Sequence, residues 1–349
     1  MTRVTIQGIA DRLGISKASV SYALNGQPGV SDATRERVLA LAAELGWRPS
    51  SSARSLSRSR ADAIGMVLKR DPEMLGNEPY YMRTLEGIED VLARADVSLL
   101  LRMTGTTPGR DLEVYRQWSA ERRVDGVIVF DRVVDDPRPA LFESLGLPYV
   151  LHGLWAPTAD GRITIDDQAR DAELLMRHLA SLGHRRLVHL SGPVFLAHEL
   201  DRRDHIAREA RSAGIAVRFV AGDYTLDGAQ SMVGAMLAGT FGETAIIASN
   251  DLMALGTLAA LRTAGRLDIA LASWDDSIIC RIATPTVTAL ARHPDEQGRR
   301  SARMLLEELE RGSADQGEPI HSDLVVRETS VRAIDDVDML RAAGDTVDA

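Results

Sequence analysis

The sequence predicts a small all-α head of helix-turn-helix type joined to an α/β body whose parallel, doubly wound sheets form two similar lobes. Three observations predict this. Val4–Leu24, VTIQGIADRLGISKASVSYAL, carries apolar residues at helical spacing on both sides of a short glycine turn. Residues 49–60, PSSSARSLSRSR, are basic, rich in serine and free of acids, as a linker would be. From Ala63 onward, short apolar runs alternate with amphipathic segments in two successive series.

In the first helix Ile6, Ile9, Ala10 and Leu13 fall at i, i+3, i+4 and i+7, a single apolar face. Thr5 stands at its N-cap, but Gly8 occupies the place where a carboxylate would complete a capping box. Gly14 follows the last apolar position, where a left-handed cap belongs. Ser16 is placed to cap a second helix with Val20 and Leu24 turned inward and Lys17, Ala18, Ser21 and Tyr22 turned out. Ser31 caps a third, with Val38, Leu41, Ala42 and Leu45 on one face and Gly46 at its end. A helix pair of this kind inserts its second helix in the major groove of DNA, although amphipathic pairs also occur in domains that bind nothing. Charge favours the first reading. Residues 1–60 hold nine basic side chains against four acidic ones, so a head of +5 sits on a body of −14 within a chain of net charge −9. That division suits a protein that offers only its head to a polyanion.

The linker is either a flexible hinge or a short helix, Ser50–Leu56, with Pro49 at its start. In the body, Ile64–Leu68, Val97–Leu101, Val127–Phe130 and Tyr149–Leu151 read as buried strands, with helices at Tyr81–Ala95 and Asp111–Arg122. The second series has strands at Leu187–Leu190, Val217–Val220, Ala245–Ala248 and Ile269–Ala272. Its helices are Ala169–Leu182, Asp201–Ala213, Asp227–Ala238 and Leu252–Ala264, with Glu296–Glu310 beyond them. No apolar run is long enough to span a bilayer, and the N-terminus enters a helix pattern with no secretory signal. The single cysteine, Cys280, permits no internal disulfide or zinc cluster and reads as a small core residue. These features point to the cytoplasm. The absence of a Walker loop, GxGxxG, GxSxG or metal-ligand cluster argues against an enzyme, and neither cofactor nor metal is implied.

VTIQGIADRLGISKASVSYALNG, VSDATRERVLALAAELGWRPSSSARSLS, GHRRL, SNDLMALG and DDS resemble the lactose-repressor (LacI/GalR) family of transcription regulators, to about Arg332. The resemblance implies a DNA-binding head (1–48), a hinge (49–61) and a periplasmic-binding-protein-like effector domain (62–332). It divides that domain into a first lobe of about 62–161 and 291–320 and a second of about 162–290 and 321–332, with Glu296–Glu310 returning to the first lobe. The acidic tail, 333–349, reads as disordered.

By the same resemblance Lys17 and Ala18 meet base edges, Tyr22 occupies a further contact position, and Ser16, Ser21 and Asn25 hold phosphates. Thr5 and the hinge residues Ser50, Ala53, Arg54 and Leu56 complete the DNA-binding set. Ala53 and Leu56 of two subunits would enter the minor groove, with Leu56 wedged between base steps.

Ligands of open α/β sheets bind beyond the carboxyl ends of strands. Asp131, Asn250–Asp251 and Asp275–Asp276 follow predicted strands, although Asp251 and Asp276 could simply cap the next helices. The resemblance makes Arg202, Asn250 and Asp275 a cleft-facing trio. A guanidinium, an amide and a carboxylate together suit vicinal hydroxyls. Tyr80, Tyr81, Trp155 and Trp274 could supply faces for sugar C–H groups. The connection between Gly265 and Asp275 is about three residues shorter than in the family pattern and lacks its proline. Trp118 reads as core and His184 as structural. The implied function is a homodimeric repressor of carbohydrate-use genes, bound to a near-palindromic operator and controlled by a small sugar. A purine or nucleoside effector and a solute-binding protein are the alternatives.

Overall fold

In the computed structural model the described residues are 4–47, 60–70, 78–153, 167–240, 242–313 and 317–331. The hinge, Trp155, the first expected crossing between lobes and the acidic tail lie outside them. Contacts divide the chain into two units, Met1–Ala61 and Asp62–Ala349.

The first unit contains α1 (Ile6–Leu13), α2 (Lys17–Leu24) and α3 (Asp32–Glu44). Each begins on a hydroxyl. Thr5, Ser16 and Ser31 accept the backbone N–H of Gly8, Ser19 and Thr34 at 3.1, 3.0 and 3.3 Å. Such caps offset amides that the helix itself leaves unpaired. Gly14, at φ +65°, closes α1 in the left-handed conformation that lets the chain turn into α2. Ile9, Val20 and Val38, one from each helix, are fully buried against one another's elements, and Ile6, Leu13, Leu24, Leu41 and Leu45 pack around them.

The second unit has two sheets. The first lobe's sheet is built from β1 (Ala63–Leu68), β2 (Ser98–Met103), β3 (Gly126–Val129) and β4 (Tyr149–Leu151). Its strand order is β2-β1-β3-β4 and every pairing is parallel. Parallel neighbours need crossover helices, and these cover both faces. α5 (Arg110–Ala120) and α6 (Arg138–Leu145) bury Tyr115, Trp118 and Phe142 on one face. On the other, α4 (Pro79–Arg94) packs beside α12 (Pro294–Arg311), which returns from the far end of the chain with Ala302, Met304 and Leu305.

The second lobe's sheet contains β5 (Arg186–Ser191), β6 (Ala216–Ala221), β7 (Ala245–Ala248), β8 (Ala270–Ser273), β9 (Thr288–Ala291) and β10 (Asp323–Val325), in the order β10-β9-β8-β7-β5-β6. Only β10 runs antiparallel to its neighbour. Helices α7 (Gln168–Ser181) and α8 (Ala197–Ala213) cover one face, and α9 (Leu226–Ala238) and α10 (Asp251–Thr263) the other. The lobes are stitched at one edge of the cleft. Ala197 N donates to Arg132 O at 2.8 Å and Val134 N to Phe195 O at 3.2 Å, around an antiparallel bridge of Val133 with Leu196.

Expectation and structure differ in particular places. α8 starts four residues before the expected Asp201, because its first turn carries the polar residues His198, half-buried, and Glu199, buried, and so shows no apolar periodicity. α6, the short helix α11 (Ile278–Ile282), β9 and β10 were not anticipated. Asp251 and Asp276 do not cap the following helices. Asn250 caps α10 through Met253 N at 2.8 Å, Ser277 caps α11 through Ile279 N at 3.1 Å, and Asp276 pairs with Arg327 at 2.7 Å.

Candidate functional site

In the head, the exposed side of α2 presents Lys17 and Ala18 at its N-terminal end, with Tyr22 one turn on and 42% exposed. The Tyr22 ring is not loose. A side chain built at Gly29, where φ is +120°, would approach it at 3.2 Å, so the phenol lies against that turn. The smaller polar residues are engaged locally. Thr5 and Ser16 cap α1 and α2, and Asn25 Nδ2 donates to Ser21 Oγ at 3.3 Å. The result is a rigid, cationic helix start flanked by hydroxyls. Ser50, Ala53, Arg54 and Leu56 lie outside the described residues.

In the body, the carboxyl ends of both sheets face one cleft, which encloses about 630 Å³ of space, part of it open to solvent. The first lobe contributes Arg70 after β1, Glu78, Tyr80 and Tyr81 at the start of α4, Phe130 and Asp131 after β3, and His152 after β4. The second contributes Gln168, His198, Arg202, Tyr224, Asn250, Asp251, Asp275 and Arg292.

Three guanidinium–carboxylate groups organise these residues. Arg70 lies 3.4 Å from Asp131, and Tyr81 donates its hydroxyl to both Asp131 oxygens at 2.7 Å. Burial would raise the Asp131 carboxyl, but Arg70, His198, Tyr81 and Arg138 together hold it below its ordinary value. Arg70 also reaches across the cleft, 5.5 Å from the Tyr224 ring centroid. Arg202 donates to Glu199 at 2.8 Å and to Ser249 O at 3.2 Å, and stands over the Trp274 ring at 4.9 Å. Arg292 meets Asp275 at 3.0 Å and Asp171 at 3.6 Å, and lies 5.4 Å from the Tyr80 ring of the opposite lobe.

Glu199 is the hub of the second lobe. It is buried and accepts from Arg202, Tyr224 Oη, Gly192 N and Ser249 Oγ. Burial opposes its ionisation, but Arg202, His198, His189 and the Tyr224 hydroxyl outweigh it and hold the carboxyl at about 2. His198 is half-buried beside Arg202 and drops to about 4, so it is neutral at pH 7. Two further carboxyls go the other way. Burial raises Glu78 to about 7, despite Arg70 and with help from Asp131, Asp251 and Asp275. Burial and then Asp275 raise Asp251 to about 6. Glu78 Oε1, Gln168 Oε1, Asp251 Oδ2 and Arg202 Nε are buried and have no hydrogen-bond partner among the described residues. Unpaired buried polar groups are costly. A ligand rich in hydroxyls and other donors would satisfy them.

Residues 5–50 match the family model described as bacterial regulatory proteins, lacI family, and residues 176–330 match the periplasmic binding protein-like domain. The chain belongs to the lacI family of transcription regulators. It is 29% identical over 339 residues to the HTH-type transcriptional regulator CelR of Thermobifida fusca, covering 94% of this chain and 98% of CelR. It is 27% identical over 334 residues to the repressor PurR of Mannheimia succiniciproducens, covering 93% and 98%. Among solved structures, a CelR–cellobiose complex superposes with a TM-score of 0.70 at 26% identity, covering 94% of this chain and all of CelR's. A lac repressor dimer bound to operator and the anti-inducer ONPF shares the fold with a TM-score of 0.83 at 23% identity, over 94% and 99%.

This lacI-family protein is thus a DNA-binding transcription regulator and not an enzyme. Among the described residues, no helix is long and apolar enough to cross a membrane. Of the sequence-predicted effector residues, Tyr80, Tyr81, Asp131, Arg202, Asn250 and Asp275 all line the regulator's cleft. Trp274 does not. It is fully buried in the second lobe's core, beneath Arg202 and 6.2 Å from His189, so it supports the guanidinium from below. Trp155 lies outside the described residues. The amide of Asn250 is largely committed, with Oδ1 capping α10 and Nδ2 donating to Tyr224 O at 3.2 Å. Sequence reasoning missed Arg70, Glu78, His198, Glu199 and Arg292. The one available signal was that Arg70 follows the predicted strand Ile64–Leu68, as the residues chosen by that criterion do.

Proposed function

We propose that this regulator is a cytoplasmic homodimer that represses carbohydrate-use genes, and that its affinity for a near-palindromic operator is set by a small saccharide held between the lobes. The observation that carries the saccharide is the cleft itself, with buried donors and acceptors from both lobes beside the rings of Tyr80, Tyr81, Phe130 and Tyr224. Vicinal hydroxyls both donate and accept, which is what such a lining needs. The likeness to CelR, solved with cellobiose, supports it. Two heads in one dimer would read two half-sites. Ile278 and Ile282, 55% and 70% exposed on α11, are apolar surface that a second copy would cover.

Ligand binding would favour one arrangement of the lobes and so change the affinity for DNA, a difference between two states. A purine or nucleoside is the second reading, favoured by the likeness to PurR and by the cluster of Tyr80, Tyr81, Phe130 and His152 rings at the cleft. A thermal-shift screen of sugars and nucleosides separates the two, because a ligand selective for the native state raises its apparent stability. Asn250→Ala and Asp275→Ala should abolish the response of operator binding to the ligand and leave operator affinity alone. Loss of DNA binding in both would count against a separate sensor cleft.

A further inference from the structure

The charges lining the cleft do not balance, and the imbalance has a place. Each guanidinium already has a carboxylate of its own: Arg70 with Asp131, Arg202 with Glu199, and Arg292 with Asp275 and Asp171. Two carboxyls have no guanidinium to themselves. Glu78, from the first lobe, shares Arg70 with Asp131, at 3.7 Å against 3.4 Å, and its Oε1 has no hydrogen-bond partner among the described residues. Asp251, from the second lobe, accepts Leu252 N through Oδ1 and, against the rise that burial causes, is lowered by the Ser277 hydroxyl, while its Oδ2 has no close hydrogen-bond partner among the described residues. Both residues are at least 95% buried, and both line the same cleft.

We propose that the cleft selects a saccharide bearing a protonated amine, with Glu78 and Asp251 as the two carboxylates that face the ammonium from opposite lobes. The proposal rests on the saccharide reading above and narrows it to a class. An anionic ligand, such as a phosphosugar or a uronate, would meet guanidinium groups that are already engaged and two surplus acids. A neutral sugar could donate hydroxyl hydrogens to Glu78 Oε1 and Asp251 Oδ2 but would leave their charge uncompensated away from water. An ammonium supplies both several donors and the missing positive charge.

The groups around the two carboxyls agree with this. Glu78 faces Arg70, Asp131, Asp251 and Asp275, and Asp251 faces Asp275, Ser277 and Cys280. Apart from Arg70, the charged partners of both are acids. With burial, they raise Glu78 to about 7 and Asp251 to about 6, so at pH 7 Glu78 is only partly ionised while Asp251 mostly carries its charge. His198 cannot supply the missing positive charge, because burial beside Arg202 keeps it neutral.

The test uses the full-length protein with glucosamine and the amine form of cellobiose, set against glucose, cellobiose, N-acetylglucosamine and a panel of nucleosides. Titration calorimetry at pH 7, in buffers of different ionisation enthalpy, reads affinity and proton release together. The amine-bearing sugars should bind at least ten-fold tighter than their neutral counterparts and drive protons off the protein as Glu78 ionises. Glu78→Gln should cut that preference by about ten-fold, read as the ratio of amine to neutral-sugar affinity within the same variant. Tighter binding of a neutral sugar than of its amine, or amine binding without proton release, overturns the proposal and leaves the saccharide reading standing. Binding of a nucleoside and of no sugar overturns both.

Discussion

Glu199 and Arg202 lie one turn apart on α8, with Oε1 2.8 Å from Nη1 and side chains 0% and 5% exposed. A buried pair of this kind is worth little against an apolar substitute, but removing one partner strands the other. Glu199→Ala leaves Arg202 with Ser249 O and the face of Trp274, and also strips Tyr224, Gly192 N and Ser249 Oγ of their acceptor. The expected cost is about 3–5 kcal/mol, read from the shift in urea midpoint. The Glu199 carboxyl sits at about 2, below its ordinary 4.5, so its contribution is complete above pH 4.5 and fades as the pH falls towards 2. Acid titration of Glu199→Gln should show a flatter loss of stability over that window than the parent protein.

Glu78 behaves in the opposite sense. Its carboxyl is raised from 4.5 to about 7, so the native state holds the proton more tightly than the unfolded chain. Its contribution is therefore fully present below pH 4.5 and is lost as the pH rises through 7. Glu78→Gln mimics the protonated form. It should leave the ligand-free melting temperature nearly unchanged at pH 4.5 and raise stability at pH 8, by on the order of 2 kcal/mol. An equal shift at both pH values would show that the side chain acts through packing alone.

The placement of Tyr80 and Tyr81 depends on how closely α4 meets α12. A Cβ on Gly87 would come within 1.8 Å of Asp295 O, and one on Gly298 within 2.2 Å of Thr84 O. The backbones therefore touch at this crossing, which lets Gln297 on α12 accept the Tyr80 hydroxyl at 3.0 Å. Gly87→Ala must push the helices apart and should cost about 3 kcal/mol. It should also weaken ligand binding, as seen by calorimetry, because the Tyr80 hydroxyl loses its anchor. Full affinity in a destabilised variant would separate the crossing from the cleft.

On the head, Lys17→Ala should weaken binding to the preferred operator by about 1–3 kcal/mol and relax preference at one base position. Fluorescence anisotropy against the operator and single-base variants reads both. Ser16→Ala should instead lower the stability of the head by about 1 kcal/mol, since its oxygen caps α2. Leu56→Ala, in the hinge, should reduce specific operator affinity and leave ligand binding intact. Unchanged affinity would remove the minor-groove wedge.

The head was legible because its determinants are local. Thr5, Ser16 and Ser31 each bond an amide three residues on, and Ile9, Val20 and Val38 are set by helical period, so spacing along the chain alone announced caps and core. Most strands of the body were legible for a similar reason, since both faces of a parallel sheet are covered and its strands read as continuous apolar runs. β9 and β10 were not. TALA and DLV are too short and too mixed to declare a strand; β9 forms by pairing with β8, and β10 adds to it at the sheet edge.

The cleft divides along the same line. The chain by itself determined that Asp131, Asn250 and Asp275 would stand at strand ends, because strand order and length fix where each β-run stops. Only the tertiary structure decided what those positions do. Glu199 meets Arg202 one turn on in its own helix, but its other partners come from residues 192, 224 and 249 in separate connecting segments, and no spacing in the sequence reveals that group. Trp274 follows its strand just as Asp275 does, yet the alternation of side chains along extended backbone turns one into the core and leaves the other at the cleft. Which polar residues are buried, and which of those lack a counter-charge, is set by distances through space, and only the packed lobes supply them.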